Sequence, residues 1–106
     1  MESLQTGQVV ISKKGKDSGK WYIVAGFSGD GRRVFLVDGG RRTWNRPKRK
    51  NPLHVQPTRT VLKEVAEMAE GNRRINDERL RSILDEARRG SSGNRKGDGT
   101  GCRKVM

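Results

Sequence analysis

A chain of 106 residues has room for one compact domain with appendages, and with 30% hydrophobic against 34% charged residues its buried core must be small. A single cysteine, Cys102, excludes a disulfide framework and leaves no thiol set for zinc. Lys plus Arg is 24 against 12 for Asp plus Glu, a formal net charge of +12, and a field of that sign concentrates polyanions around the chain.

The apolar residues gather in the first half as short runs separated by glycines. Gln8-Val9-Val10-Ile11-Ser12 is β-branched and ends at the turn Lys13-Lys14-Gly15-Lys16-Asp17-Ser18-Gly19. Trp21-Tyr22-Ile23-Val24-Ala25 reads as a second strand, because aromatic and β-branched side chains suit a pleated, half-buried surface. Ser28-Gly29-Asp30-Gly31 is a turn with chemistry suited to positive φ. Arg33-Val34-Phe35-Leu36-Val37 follows as a nearly continuous apolar strand, hence central. After Asp38-Gly39-Gly40 a short strand is expected around Thr43-Trp44-Asn45, and Leu53-His54-Val55-Gln56-Pro57 alternates as a closing strand. Five short strands in about fifty residues fit a small barrel, whose closure removes exposed edges. Trp21, Tyr22 and Phe35 are assigned to the core.

Beyond residue 58 the period changes. Val61, Leu62, Val65, Ala66 and Ala69 recur at helical spacing up to Gly71, predicting a helix over 60–70. A second helix is predicted over 76–89, with Asn76 as N-cap, an Ile75–Leu80 staple, an apolar stripe of Leu80, Ile83, Leu84 and Ala87, and Gly90 as its stop. Neither helix would be stable alone. Residues 90–106, rich in Gly and Ser with scattered basic residues, read as a flexible basic tail. The expected organisation is a β unit over 1–58, a helical extension over 59–89 and the tail. The opening Met1-Glu2-Ser3-Leu4-Gln5 has no basic-then-apolar pattern of a signal peptide, and the longest apolar runs are far too short to span a bilayer. A cytoplasmic protein with no membrane attachment is expected.

Two segments carry the charge that matters. The first half holds 12 bases against 4 acids, or +8, while the remainder holds 12 against 8, or +4. The stretch from Gly7 to Lys20 combines a β-branched strand, a basic turn with an acid inside it, and Gly19 opening the next strand, which needs either close backbone approach or positive φ there. Exposed turn amides together with Lys13, Lys14, Lys16 and Lys20 would make a compact phosphate site; an ordinary basic β-turn is the plainer alternative. This stretch resembles the KOW motif of NusG-type elongation factors and several large-subunit ribosomal proteins. Further along, Phe35-Leu36-Val37-Asp38-Gly39, the paired Arg41-Arg42, then Arg46-Pro47 and Leu53-His54-Val55-Gln56-Pro57-Thr58 are similar to the KOW-bearing large-subunit ribosomal protein family numbered fourteen in archaea and eukaryotes, and to its short bacterial relatives. The resemblance covers about residues 7 to 58. It implies an SH3-like barrel, mainly β, that binds structured ribosomal RNA, with ribosomal proteins as further neighbours. The helix at Asn76-Asp77-Glu78 departs from the archaeal and eukaryotic pattern, so a ribosomal component and an accessory factor both remain open.

The second segment, from Arg41 to Pro52, sets Arg41, Arg42, Arg46, Lys48, Arg49 and Lys50 around one indole, Trp44, with two prolines holding it extended. Such a loop can lie along an RNA backbone with Arg or Trp stacked on an unpaired base, or be a solvated charge run. Trp44 fits equally the core and a stacking platform. Gly15-Lys16-Asp17-Ser18-Gly19-Lys20 mimics a P-loop but is one residue short, with Trp21 where a Ser or Thr must meet magnesium. His54, flanked by Leu53 and Val55, is expected on the face opposite theirs, at the surface. Asp17, Asp30 and Asp38 stand in turns, where a carboxylate ordinarily bonds local backbone. No acid–base pair, metal cluster or cofactor motif emerges, so a binding protein rather than an enzyme is expected, and nothing requires more than a monomer. The arginines of the helices read either as solvated faces or as an extension of the RNA surface. A protein-interaction adaptor in transcription or translation is the competing function, since small barrels also bind peptides.

Overall fold

The computed structural model describes residues 4–93. Strands β1 (Gln8–Ser12), β2 (Trp21–Phe27), β3 (Val34–Val37), β4 (Lys48–Lys50) and β5 (Val55–Val61) are followed by helices α1 (Lys63–Glu70) and α2 (Asp77–Gly93). All pairings are antiparallel, and the strand order is β4-β3-β2-β1-β5. The first four strands form a meander, and β5 returns to the free side of β1.

The expected barrel is met as far as a single sheet whose edges, β4 and β5, do not pair with each other. Those edges are nevertheless successive in the chain, joined only by a 3-10 turn at Pro52–His54. Register shifts between Gln8 and Val10 in β1, and between Val24 and Gly26 in β2, bend the central strands. At the first, the Thr58 hydroxyl donates to the Val9 carbonyl at 2.7 Å. Pro57 is tolerated because β5 is an edge.

The fourth and fifth strands are placed differently from the sequence reading. The fourth strand is Lys48–Lys50, not Thr43-Trp44-Asn45, which is turn. The closing strand begins at Val55, because Leu53 and His54 belong to the 3-10 turn that Asn51 caps through its side chain. Leu53 is consequently 71% exposed while Val55 is buried, so the two do not share a face with His54 opposite.

Alternation along the strands sends apolar side chains to both faces of the sheet. Val10, Tyr22, Val24, Val34, Leu36 and Val55 form one cluster. Val9, Ile23 and Val37, from the other face, join Val65, Met68, Leu80, Ile83 and Leu84 of the helices in a second. One face of the sheet therefore carries a cluster drawn from the strands themselves, and the other is covered by the helices. Of the aromatic core candidates Tyr22 is buried, Trp21 is half-buried against the helical cluster, and Phe35 is half-buried outside both clusters.

Helix α1 starts at Lys63, since Val61 belongs to β5 and Leu62 stands before the first turn; its buried residues are Val65 and Met68, with Ala69 exposed. Gly71 closes it in the left-handed region, φ 86°, as expected. Asn76 caps α2 by accepting the Arg79 N–H at 3.1 Å. Leu80 is fully buried but Ile75 remains 42% exposed. The helix runs through Gly90 to Gly93, so Gly90 does not end it and residues 90–93 are helical rather than tail. The remainder of the expected tail, with Cys102, lies outside the described residues.

Candidate nucleic-acid interface

The β1–β2 turn is built around a buried carboxylate. Asp17 accepts from the Ser12 hydroxyl at 2.9 Å, the Tyr22 hydroxyl at 3.0 Å and Lys50 Nζ at 3.0 Å, with Lys48 Nζ at 3.7 Å. Lys50 Nζ also donates to the Lys14 carbonyl at 2.9 Å. The acid in the turn is therefore not engaged in the local backbone bonding expected of it, whereas Asp30 and Asp38 are: Asp30 accepts from the Arg32 amide, and Asp38 from those of Gly40 and Arg42. Instead Asp17 ties the β1–β2 turn to β4 across a separation of 33 residues. Burial pushes its carboxyl upward. Hydrogen bonds from Lys50, Ser12 and Tyr22 and the Lys50 charge outweigh that and hold it at about 2. Burial, followed by the bond to Asp17 and its charge, pushes the Tyr22 phenol up to about 12.

Around this acid the chain gathers its cations. A groove of about 370 Å³ is lined by Lys16 and Lys20 of the turn, Arg41 and Arg42 after β3, and Lys48 and Lys50 of β4, with Gly15, Asp17 and Tyr22. Three segments distant in sequence thus place six cations around one carboxylate. Strand geometry decides which residues of the basic run take part. Successive side chains of β4 point to opposite faces, so Lys48 and Lys50 turn toward Asp17 and Arg49, exposed and paired in register with Phe35, turns away.

The other expected contact residues lie elsewhere. Lys13, Lys14 and Arg46 are exposed but do not line the groove. Gly19 has φ 91° with nothing near its missing Cβ, so positive φ rather than close approach accounts for it. Trp44 is half-buried against the helical cluster, and its backbone N–H donates to the Asp77 carboxylate at 2.9 Å. Not all turn amides are offered to a ligand: those of Lys13, Ser18, Gly19 and Lys20 donate to the carbonyls of His54, Gly15, Ser12 and Asp17.

Sequence reasoning missed the roles of Asp17 and Tyr22, and it left the α2 arginines ambiguous. Arg81 and Arg88 line a second, larger cleft that shares Lys20 and Arg41 with the groove. No periodicity links a turn near residue 17 with a helix near residue 85; only the fold does. Among the described residues no three His, Cys, Asp or Glu side chains gather as metal ligands, and no helix is long and apolar enough to cross a membrane. No family model matches the chain, and no curated protein matches it.

Proposed function

We propose that this chain is a binding protein for structured RNA, an SH3-like KOW module working in the cytoplasm as a ribosomal or ribosome-accessory component of the large subunit. The observation that carries the reading is the groove: six cations from three separate segments around Asp17, too many for one carboxylate to neutralise. The strand order, with β5 returning beside β1 after a four-strand meander, is the topology expected of an SH3-like barrel. The sequence resemblance over residues 7 to 58 points the same way.

Phosphates supply the affinity in this scheme. Lys16, Lys20, Arg41, Arg42 and Lys48 approach backbone oxygens and release condensed counterions, which makes binding strongly salt-dependent. Lys50, held by Asp17 and the Lys14 carbonyl, fixes β4 in place so that the groove exists before RNA arrives.

Cosedimentation with ribosomal particles from gently lysed cells tests the target. Association with the large subunit at low salt, reversed at high salt, is expected; protein wholly in the free fraction at low salt overturns the ribosomal reading in favour of a partner protein or a non-ribosomal RNA. The site is tested by replacing Lys16, Arg42 and Lys48 together with Ala. The triple variant should lower the slope of log affinity against log salt by roughly 2, at 0.7 to 0.9 per lost phosphate contact. An unchanged slope in a folded variant would rule the groove out.

A further inference from the structure

Beside the cation groove, beyond Lys20 and Arg41, lies a cleft of about 800 Å³ that neither the charge runs nor the resemblance points to. One wall is the turn and the start of β2, with Lys20 and Trp21. The opposite wall is α2, with Arg81, Leu84, Asp85 and Arg88; Arg41 and Asp38 close it from the segment after β3. Its size falls within the roughly 300–1,000 Å³ of small-ligand clefts.

The chemistry of the lining differs from that of the groove. Four cations stand there with two carboxylates and one indole. Asp38 is engaged by the Gly40 and Arg42 amides, each at 2.9 Å. Trp21 is half-buried, packed against the cluster that joins sheet and helices, and it also borders an adjoining hollow with Asp85, Arg88 and Arg89. An indole held by packing on the helical cluster and lining a cleft is a platform with little side-chain entropy left to lose. A bare phosphate has no use for an indole, nor for an acceptor such as Asp85. A nucleotide uses every part: a π-face for the ring, amine or ribose hydroxyl donors for the carboxylate, and flanking phosphates for the cations. A base inside a duplex is stacked on both faces, so only an unpaired one can enter.

We infer that this cleft seats one unpaired nucleotide of the bound RNA, its base against Trp21 and its flanking phosphates on Lys20, Arg41 and Arg81. The inference rests on the RNA-binding reading above. It makes α2, rather than the β-sheet alone, a wall of the interface, and it adds a preference for RNA with a bulge, loop or single-stranded segment next to a helix.

The test uses the full chain carrying Trp44→Phe, which leaves Trp21 as its only indole. It is titrated with a 12-nucleotide unstructured single-stranded RNA, and separately with a blunt RNA duplex of equal length. Stacking on an indole quenches its emission. Single-stranded RNA should therefore quench Trp21, while the duplex binds through the groove and leaves the emission unchanged. Trp21→Leu should weaken single-strand binding roughly tenfold and spare duplex binding. Because Trp21 contributes to packing, Arg81→Ala, which removes only an exposed side chain, provides a second route to the same loss and should also weaken the single strand selectively. Binding of both RNAs without quenching, with Trp21→Leu and Arg81→Ala ineffective, overturns the cleft and leaves the groove standing. Equal quenching by the duplex also overturns it. Failure of the folded protein to bind either RNA at low salt removes both readings.

Discussion

Asp17 sits where burial and hydrogen bonding pull its proton in opposite directions, and the hydrogen bonds prevail, helped by the Lys50 charge. Two hydroxyls and the Lys50 ammonium converge on it, and Asp17 and Lys50 each retain only 10% of their side-chain exposure. Removing one partner of such a pair strands the other, so Asp17→Asn should cost about 3 kcal/mol, at the lower end for a broken buried pair. Denaturant midpoints at pH 7 would show it. The pH dependence follows from the direction of the shift. The carboxyl lies at about 2 in the folded chain against an ordinary 3.8, so its stabilisation is complete above 3.8 and is lost as pH falls from there through about 2. The phenol of Tyr22 behaves in the opposite sense: raised from 10 to about 12, it contributes fully below pH 10 and loses that contribution as pH rises toward 12. Asp17→Asn should therefore show a shallower acid loss between pH 4 and 2 than the parent chain. An unchanged acid profile would mean that other carboxylates govern acid unfolding.

Between elements, the decisive contact is the seating of α2 on the segment after β3. Gly39 has φ 81°, and a Cβ there would run into the backbone of α2 at the Asp77 carbonyl and the Arg81 amide. The Asp77 carboxylate meanwhile accepts the Trp44 backbone N–H at 2.9 Å, so one turn of helix grips both ends of a short loop. Gly39→Ala combines a strained φ with a backbone clash and should destabilise by about 2 kcal/mol or more. By contrast Gly29→Ala, which meets nothing within 4 Å and has no positive φ, should change little. Equal thermal shifts for the two variants would dismiss the seating. The same region shows what a sequence can and cannot convey. Strands β1, β2 and β3 are legible because Val, Ile, Trp and Tyr announce them. Strand β4 is not, because Lys48-Arg49-Lys50 has no β propensity of its own and becomes a strand only by pairing with Val34–Leu36. Trp44 draws attention as an aromatic in a loop, yet its place is settled by a helix 33 residues away. The basic residues are all visible in the sequence. Which of them converge depends on the alternation of β4 and on the Asp17 tether, and neither has a local signature.

At the scale of the whole molecule, one of the two apolar clusters is completed only by the helices. Val9, Ile23 and Val37 are fully buried, but what covers them is Val65, Met68, Leu80, Ile83 and Leu84. A boundary near residue 58, natural from the change of period, would cut β5 between Thr58 and Val61 and uncover that face. At about 1.5–3 kcal/mol for each buried side chain, losing these five helical residues removes more than a marginally stable small domain can spare. Residues 1–62, which retain all five strands, should accordingly show no cooperative thermal transition and should bind a hydrophobic dye, whereas residues 1–93 should unfold in one sharp step. The result bears on the proposed RNA interface as well as on stability. If α2 is part of the fold rather than an appendage, Arg81 and Arg88 are held at fixed positions beside Trp21, and the cleft they form is preorganised. A cooperative transition in residues 1–62 would instead make the sheet self-sufficient and α2 a separable arm, and the cleft would then have to be assembled on binding.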